Sequence, residues 1–308
     1  QRQMCIRDSH TRTPELLDFK EILKADLLLI TTAVIWGFAF VFQTLGLEFI
    51  GPITFVFFRF LIASIIFLVL FKFGMKNESK LHDSSLDYYS IILGIIMVIG
   101  MLFQQIGLQY TTVARAGFVT SLYIIFVPLL GLFLSIKTDL LTLIGIVVAL
   151  MGFYLLANIN PEEFLFGDLL MLASSVLWAS HVLIISRIAR LVSIVRVMTI
   201  QFVTVAVISG VLMLLYESWS INDLARATYS LLFVAILSSC LGFSFQVLAQ
   251  RKAPPSHSAL ILSTEAIFAA LGGWLILNQN LSGLEIFGCL LILLGGIISQ
   301  AKIFKKAL

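Results

Sequence analysis

Asp26-Leu-Leu-Leu-Ile-Thr-Thr-Ala-Val-Ile-Trp36 returns 142 residues later as Asp168-Leu-Leu-Met-Leu-Ala-Ser-Ser-Val-Leu-Trp178. The register holds well beyond this stretch. Phe60 falls on Phe202, and Gly100, Phe103 and Gln104 fall on Gly242, Phe245 and Gln246. Ser121, Phe126 and Gly131 fall on Ser263, Phe268 and Gly273. With one further residue inserted, Gly145 and Gly152 fall on Gly288 and Gly295. Leucine coincidences are cheap in an apolar chain, but this one has only 4 Trp, so Trp, Gln and Asp coincidences are not. The pattern reads as a duplication.

What is duplicated is membrane-embedded. The 308 residues are 60% hydrophobic and 12% charged, with mean hydropathy +1.05. A soluble domain carries about 25% charged residues, so this chain cannot cover a water-facing surface and needs lipid as solvent. Apolar runs fall at 25–43, 52–73, 89–108, 115–135, 139–157, 166–187, 196–216, 228–250, 256–277 and 283–303. Each is near the ~20 residues that a helix needs to cross a bilayer core. None alternates as a barrel strand must. Gly51-Pro52, Asn158-Ile-Asn-Pro161, Pro254-Pro255 and Asn278-Gln-Asn280 supply turns between them. The expected fold is an all-α integral membrane bundle of ten transmembrane helices. Residues 25–157 form one five-helix repeat and 166–303 the other, flanked by tails at 1–24 and 304–308. The opening QRQMCIRDS has no periodicity and reads as non-native over residues 1–9; nothing at the N-terminus reads as a cleavable signal.

Charge fixes the expected orientation. Of the 20 Lys and Arg, all but Arg59, Arg115 and Arg226 fall on the side of the N-terminus in a ten-span path. Positive residues mark the cytoplasmic face, so both termini are expected there. With only short loops, the chain reads as a multi-pass protein of a prokaryotic plasma (inner) membrane. Five spans per unit is an odd number, so the second copy enters the membrane upside down. Inverted repeats around a central cavity are a carrier design, in which near-equivalent halves rock about a shared site.

Few polar residues lie deep in the spans. Arg59 is the basic one, seven residues past Pro52. A charge at that depth faces a cavity or a partner. It reads either as an anchor for an anionic group such as a carboxylate or as a structural ion pair or helix cap. Its repeat mate is Gln201, so the duplication does not demand the charge. Glu265 is the deep carboxylate, with Tyr123 as its mate. It reads as a site for a cationic group or a proton, or as the partner of Arg59. His181, whose mate is Ala39, reads as a packing residue or a solute contact. Gln104 and Gln246 read as interhelical hydrogen-bonding residues or as solute ligands. Trp36 and Trp178 lie away from the interfacial belt and read as walls of an aromatic cavity or as core. Gly145, Gly152, Gly288 and Gly295 read as close helix packing. The basic tail Lys302, Lys305 and Lys306 reads as a membrane-surface anchor.

Several classes fall away. No GxxxxGK[ST] loop, HExxH or GxSxG is present, and His10, His82, His181 and His257 are scattered. Cys5, Cys240 and Cys289 have no metal or disulfide spacing. No catalytic residue, metal site or cofactor is expected, and the chain does not read as an enzyme. An intramembrane enzyme or a scaffold remains as a distant alternative. A net charge of +3 gives no reason to expect nucleic acid. The expected partners are a small-molecule substrate and the bilayer, with proton coupling and a homodimer left open.

Five segments then carry a resemblance. They are Ala33-Val-Ile-Trp-Gly-Phe-Ala-Phe40, the run from Pro52 to Phe58-Arg59-Phe60, and Gln104-Gln-Ile-Gly-Leu-Gln-Tyr-Thr-Thr112. The others are Leu262-Ser-Thr-Glu265-Ala-Ile-Phe-Ala-Ala270 and Gly283-Leu-Glu-Ile-Phe-Gly288. In that order they resemble the drug/metabolite transporter superfamily, specifically its EamA-type members, over residues 25–303. The resemblance implies a ten-helix bundle with a central cavity, and export or exchange of metabolites, amino acids or drugs. Many members carry a Glu at the end of the fourth and ninth spans; here Lys137 and Gln279 occupy those turns, which puts any role for them in doubt. A secondary transporter of a metabolite or amino acid is thus the leading expectation. A multidrug exporter of lipophilic cations is the alternative.

Overall fold

The computed structural model describes residues 19–74, 84–157, 166–280 and 282–307. The suspect opening 1–9 with Cys5, and the turn from Asn158 to Pro161, lie outside the described residues. Helices run as α1 (Phe19–Leu47), α2 (Pro52–Gly74), α3 (Ser84–Gly107), α4 (Val113–Phe133) and α5 (Leu140–Ala157). They continue as α6 (Phe166–Ile188), α7 (Ile194–Tyr216), α8 (Ile221–Gln250), α9 (Pro255–Leu277) and α10 (Gly283–Ala307). The described residues contain no strand. Among the described residues, α1 to α4 and α6 to α9 are the eight helices long and apolar enough to cross a membrane. The apolar parts of α5 and α10, Leu140–Leu155 and Gly283–Ser299, are shorter.

In lipid every backbone amide must find its partner inside the protein, and the helix ends show how. α2 begins on Pro52, which has no N–H to satisfy. The next amides, Ile53 and Thr54, donate to the carboxylate of Glu217 at 3.0 and 2.7 Å, and the Thr54 hydroxyl donates to it at 2.7 Å. That negative charge on a helix N-terminus is also favourable electrostatically. α9 stops at Asn278, which takes the left-handed conformation (φ 54°) that ends a helix.

Three helices are irregular in mid-course. α4 breaks after Ser121, and α9 breaks at Ser263 and Thr264. The two breaks touch: Ser121 Oγ donates to the Ser263 carbonyl at 3.1 Å. Ser263 and Thr264 hydroxyls donate to the carbonyls of Leu260 and Ile261, each at 2.7 Å, which occupies acceptors near the break. α8 widens into a π-helical segment over Phe233–Gly242, while the corresponding part of α3 is ordinary α-helix.

Packing follows the duplication. α5 lies on α10, α2 on α7 and α4 on α9, so repeat mates pack on each other. α3 lies on α6 as α1 lies on α8, and α1 lies on α9 as α4 lies on α6. At the α5–α10 contact a Cβ added to Gly145 would lie 2.5 Å from the Gly295 carbonyl oxygen. One added to Gly152 would lie 2.5 Å from that of Gly288. The first glycine of one helix meets the second of the other, so the two cross antiparallel at backbone contact. The outer surface is apolar, with Leu68, Phe73, Phe133, Val207 and Leu214 exposed, as lipid-facing side chains require.

Candidate functional site

A cavity lies among the helices of both halves. α1 contributes Trp36, Ala39, Phe40 and Gln43, which at i, i+3, i+4 and i+7 share one helix face. Arg59 comes from α2, Met101 and Gln104 from α3, and Thr120 and Tyr123 from the break in α4. Trp178 and Val182 come from α6, Ser238 and Phe243 from α8, and Leu262 and Glu265 from the break in α9. α5, α7 and α10 contribute no lining residue.

Arg59 is 1% exposed. Its Nε donates to Ser239 Oγ at 2.7 Å, Nη2 to Ser238 Oγ at 2.9 Å, and Nη1 to Gln43 Oε1 at 3.3 Å, with Met101 Sδ also 3.3 Å from Nη1. All four partners are neutral. No carboxylate forms an ion pair with Arg59 among the described residues. A buried cation without a counter-charge is costly, and a cavity beside it offers room for one carried by a ligand. The π segment of α8 brings the adjacent Ser238 and Ser239 both onto the guanidinium, a use of π-helix common at functional sites.

From Arg59 the polar network runs on. Gln43 Oε1 accepts from Gln104 Nε2 at 3.3 Å, and Gln104 Oε1 accepts from Trp178 Nε1 at 3.1 Å. Trp36 Nε1 donates to the Ser238 carbonyl at 3.0 Å, and its ring lies 5.0 Å from that of Phe243. Both tryptophans therefore have their polar edges held and their rings against the cavity.

Glu265 is 3% exposed and opens the second segment of α9, where a helix N-terminus favours a carboxylate. Its mate Tyr123 lines the cavity with it. Glu265 makes no ion pair with Arg59, so the pairing of the two considered from the sequence is not what the structure contains. His181 is fully buried but is not a lining residue; its Nε2 lies 2.9 Å from Oε1 of Gln201, the mate of Arg59. Gln246 is buried away from the lining. Gln43, Ser238 and Ser239 were not singled out from the sequence. Gln43 carried a signal, being polar on the helix face of Trp36, whereas the serines depend on the local π register.

Residues 23–158 and 165–299 each match the EamA-like transporter family. The chain belongs to that family. It is a multi-pass membrane protein and a transporter of the drug/metabolite type, which binds a small molecule within the bilayer. An uncharacterized transporter of Archaeoglobus fulgidus is 30% identical over 284 residues, covering 91% of this chain and 87% of its own. The uncharacterized transporter YoaV of Bacillus subtilis is 26% identical over 285 residues, covering 89% and 96%. A solved crystal structure at 18% identity aligns with a TM-score of 0.74 over 91% of this chain and 98% of its own, a likeness of fold alone. Family and relatives point to transport rather than catalysis.

Proposed function

We propose that this EamA-family protein is a secondary carrier that moves a small organic solute, a metabolite or amino acid, by alternating access, in export or exchange. In this account it crosses the plasma membrane ten times, with residues 25–157 and 166–303 as inverted repeats and both termini cytoplasmic. The antiparallel crossing of α5 and α10, and the contact between the mated breaks of α4 and α9, support a twofold axis in the membrane plane. The observation that carries the substrate reading is Arg59, which lines the cavity without a carboxylate partner among the described residues. An incoming carboxylate would complete it through a charge-assisted bond. Glu265 would receive an ammonium group on the same solute. It is also the one lining carboxylate among the described residues, so proton coupling would run through it. Trp36, Trp178, Tyr123 and Gln104 would shape the site, with His181 and Gln246 behind its walls.

A second reading rests on the aromatic rings of Trp36, Trp178, Phe243 and Tyr123 around Glu265, which suit a lipophilic cation. Proteoliposome flux of an amino-acid panel and of a cationic dye separates the two. Loss of amino-acid flux in Arg59→Ala with dye flux intact supports the first. Dye flux that depends on Glu265, with no amino-acid flux in the wild type, supports the second.

A further inference from the structure

Two aspartate pairs stand apart from the cavity, and each is the repeat image of the other. Asp26 Oδ1 lies 2.8 Å from His257 Nε2. Asp168 Oδ2 lies 2.6 Å from Arg115 Nη2, and its Oδ1 accepts from Arg115 Nε at 3.0 Å and from Thr111 Oγ1 at 3.3 Å. A shift of 142 residues takes Asp26 to Asp168 and Arg115 to His257. The pairing survives although the partner of the aspartate has changed from one half to the other.

Both pairs cross the seam between halves. One ties the beginning of α1 to that of α9, and the other ties the beginning of α6 to that of α4. Asp26 precedes the cavity residue Trp36 by ten positions, and His257 precedes Glu265 by eight, about 15 and 12 Å at the helical rise. Asp168 and Arg115 stand at the same spacing before Trp178 and Tyr123. The second pair is at the opposite end of the bundle, where α3 finishes: a Cβ on Gly107 there would meet the Gly167 carbonyl at 3.0 Å. The cavity is thus bracketed along its length by two aspartate bridges, one to the His257 ring and one to the Arg115 guanidinium. Such bridges contribute little net stability, whereas breaking and remaking one is a two-state event of the kind a carrier needs.

We propose that Asp26–His257 and Asp168–Arg115 are the latches that close the cavity, one at each end, and that they release in turn. The proposal rests on the carrier account above. The latches are unequal: Arg115 sets two nitrogens of its guanidinium fork on Asp168, while His257 turns one ring nitrogen to Asp26. The end closed by Asp26 and His257 therefore opens more readily, and the resting protein admits reagent mainly from the face bearing the N-terminus.

The test places a reporter cysteine at Ala39 in a chain whose Cys5, Cys240 and Cys289 are replaced. A membrane-impermeant methanethiosulfonate reagent is applied to right-side-out and inside-out vesicles. Asp26→Asn raises labelling from the N-terminal face by roughly fivefold or more and lowers it from the other; Asp168→Asn does the reverse. Exchanging the first pair, Asp26→His with His257→Asp, returns the wild-type profile and shows that the single variant acted through the pair rather than through misfolding. Single variants that change labelling from both faces alike, or from neither, overturn the latches, as does an exchanged pair that stays with the single variant. A wild-type reporter reached from one face only, whatever solute is present, overturns the carrier account instead.

Discussion

Gly145 and Gly152 in the first half answer to Gly288 and Gly295 in the second, and the four make one backbone contact. Trp36 and Trp178 also correspond, and so do the glycines beside them: Gly242 approaches the ring of Trp36 and Gly100 that of Trp178. Arg59 answers instead to Gln201, Tyr123 to Glu265 and Ala39 to His181. The halves agree where helices must touch, because a backbone contact tolerates only one side-chain size. They differ at Arg59 and at Glu265, both of which line the cavity, and a solute without twofold symmetry would not be matched by a symmetric wall. At the glycines, correspondence between the halves marks packing; at Arg59 and Glu265 the cavity wall departs from it.

The largest effect should come from damaging a feature that the halves share. Gly145→Val drives a branched side chain into the Gly295 carbonyl and should cost about 3 kcal/mol, the upper end for overpacking. Gly296→Ala meets nothing within 4 Å and should leave the melting temperature of the solubilised protein where it was. A tolerated Gly145→Val would remove the shared contact as a determinant of the fold. Next comes erasing a difference. Arg59→Gln makes the two halves alike at this position and should lower solute flux about 100-fold in proteoliposomes, the loss expected of about 3 kcal/mol of charge-assisted bonding. Its melting temperature should stay close to the wild type, because all four partners of Arg59 are neutral. Flux that survives would separate asymmetry from chemistry. Smaller still is Tyr123→Phe, which takes a hydroxyl from the cavity wall that Glu265 shares and should reduce flux about tenfold, roughly 1.4 kcal/mol. The smallest is His181→Asn. His181 differs from its mate but lines no cavity, so flux should stay within roughly threefold. A larger fall would extend the site to the His181–Gln201 pair.

Much of this was legible before any coordinates. The duplication, the helical runs and the placement of Arg59, Glu265, Trp36 and Trp178 follow from spacing and from the cost of polar groups in lipid. The interior breaks of α4 and α9 were not legible, since neither Leu122-Tyr123 nor Thr264-Glu265 contains the Gly or Pro that usually signals one. The recruitment of Ser238 and Ser239 to Arg59 depends on a π-helical register that a 3.6-residue period cannot anticipate. Gln104 and Gln246 correspond in sequence, yet only Gln104 lines the cavity. Its partner Gln43 has Ile185 as a counterpart, so the network has no equivalent in the second half.

Glu48 and Arg190 are exposed counterparts in the loops that follow the first helix of each half, so a single cysteine at either position is open to reagent. Impermeant thiol labelling of sealed, oriented vesicles should reach Arg190→Cys from the face bearing the N-terminus and Glu48→Cys from the opposite face. Both positions reacting from the same face would mean that the second half is not inverted, and the carrier account would fall with it.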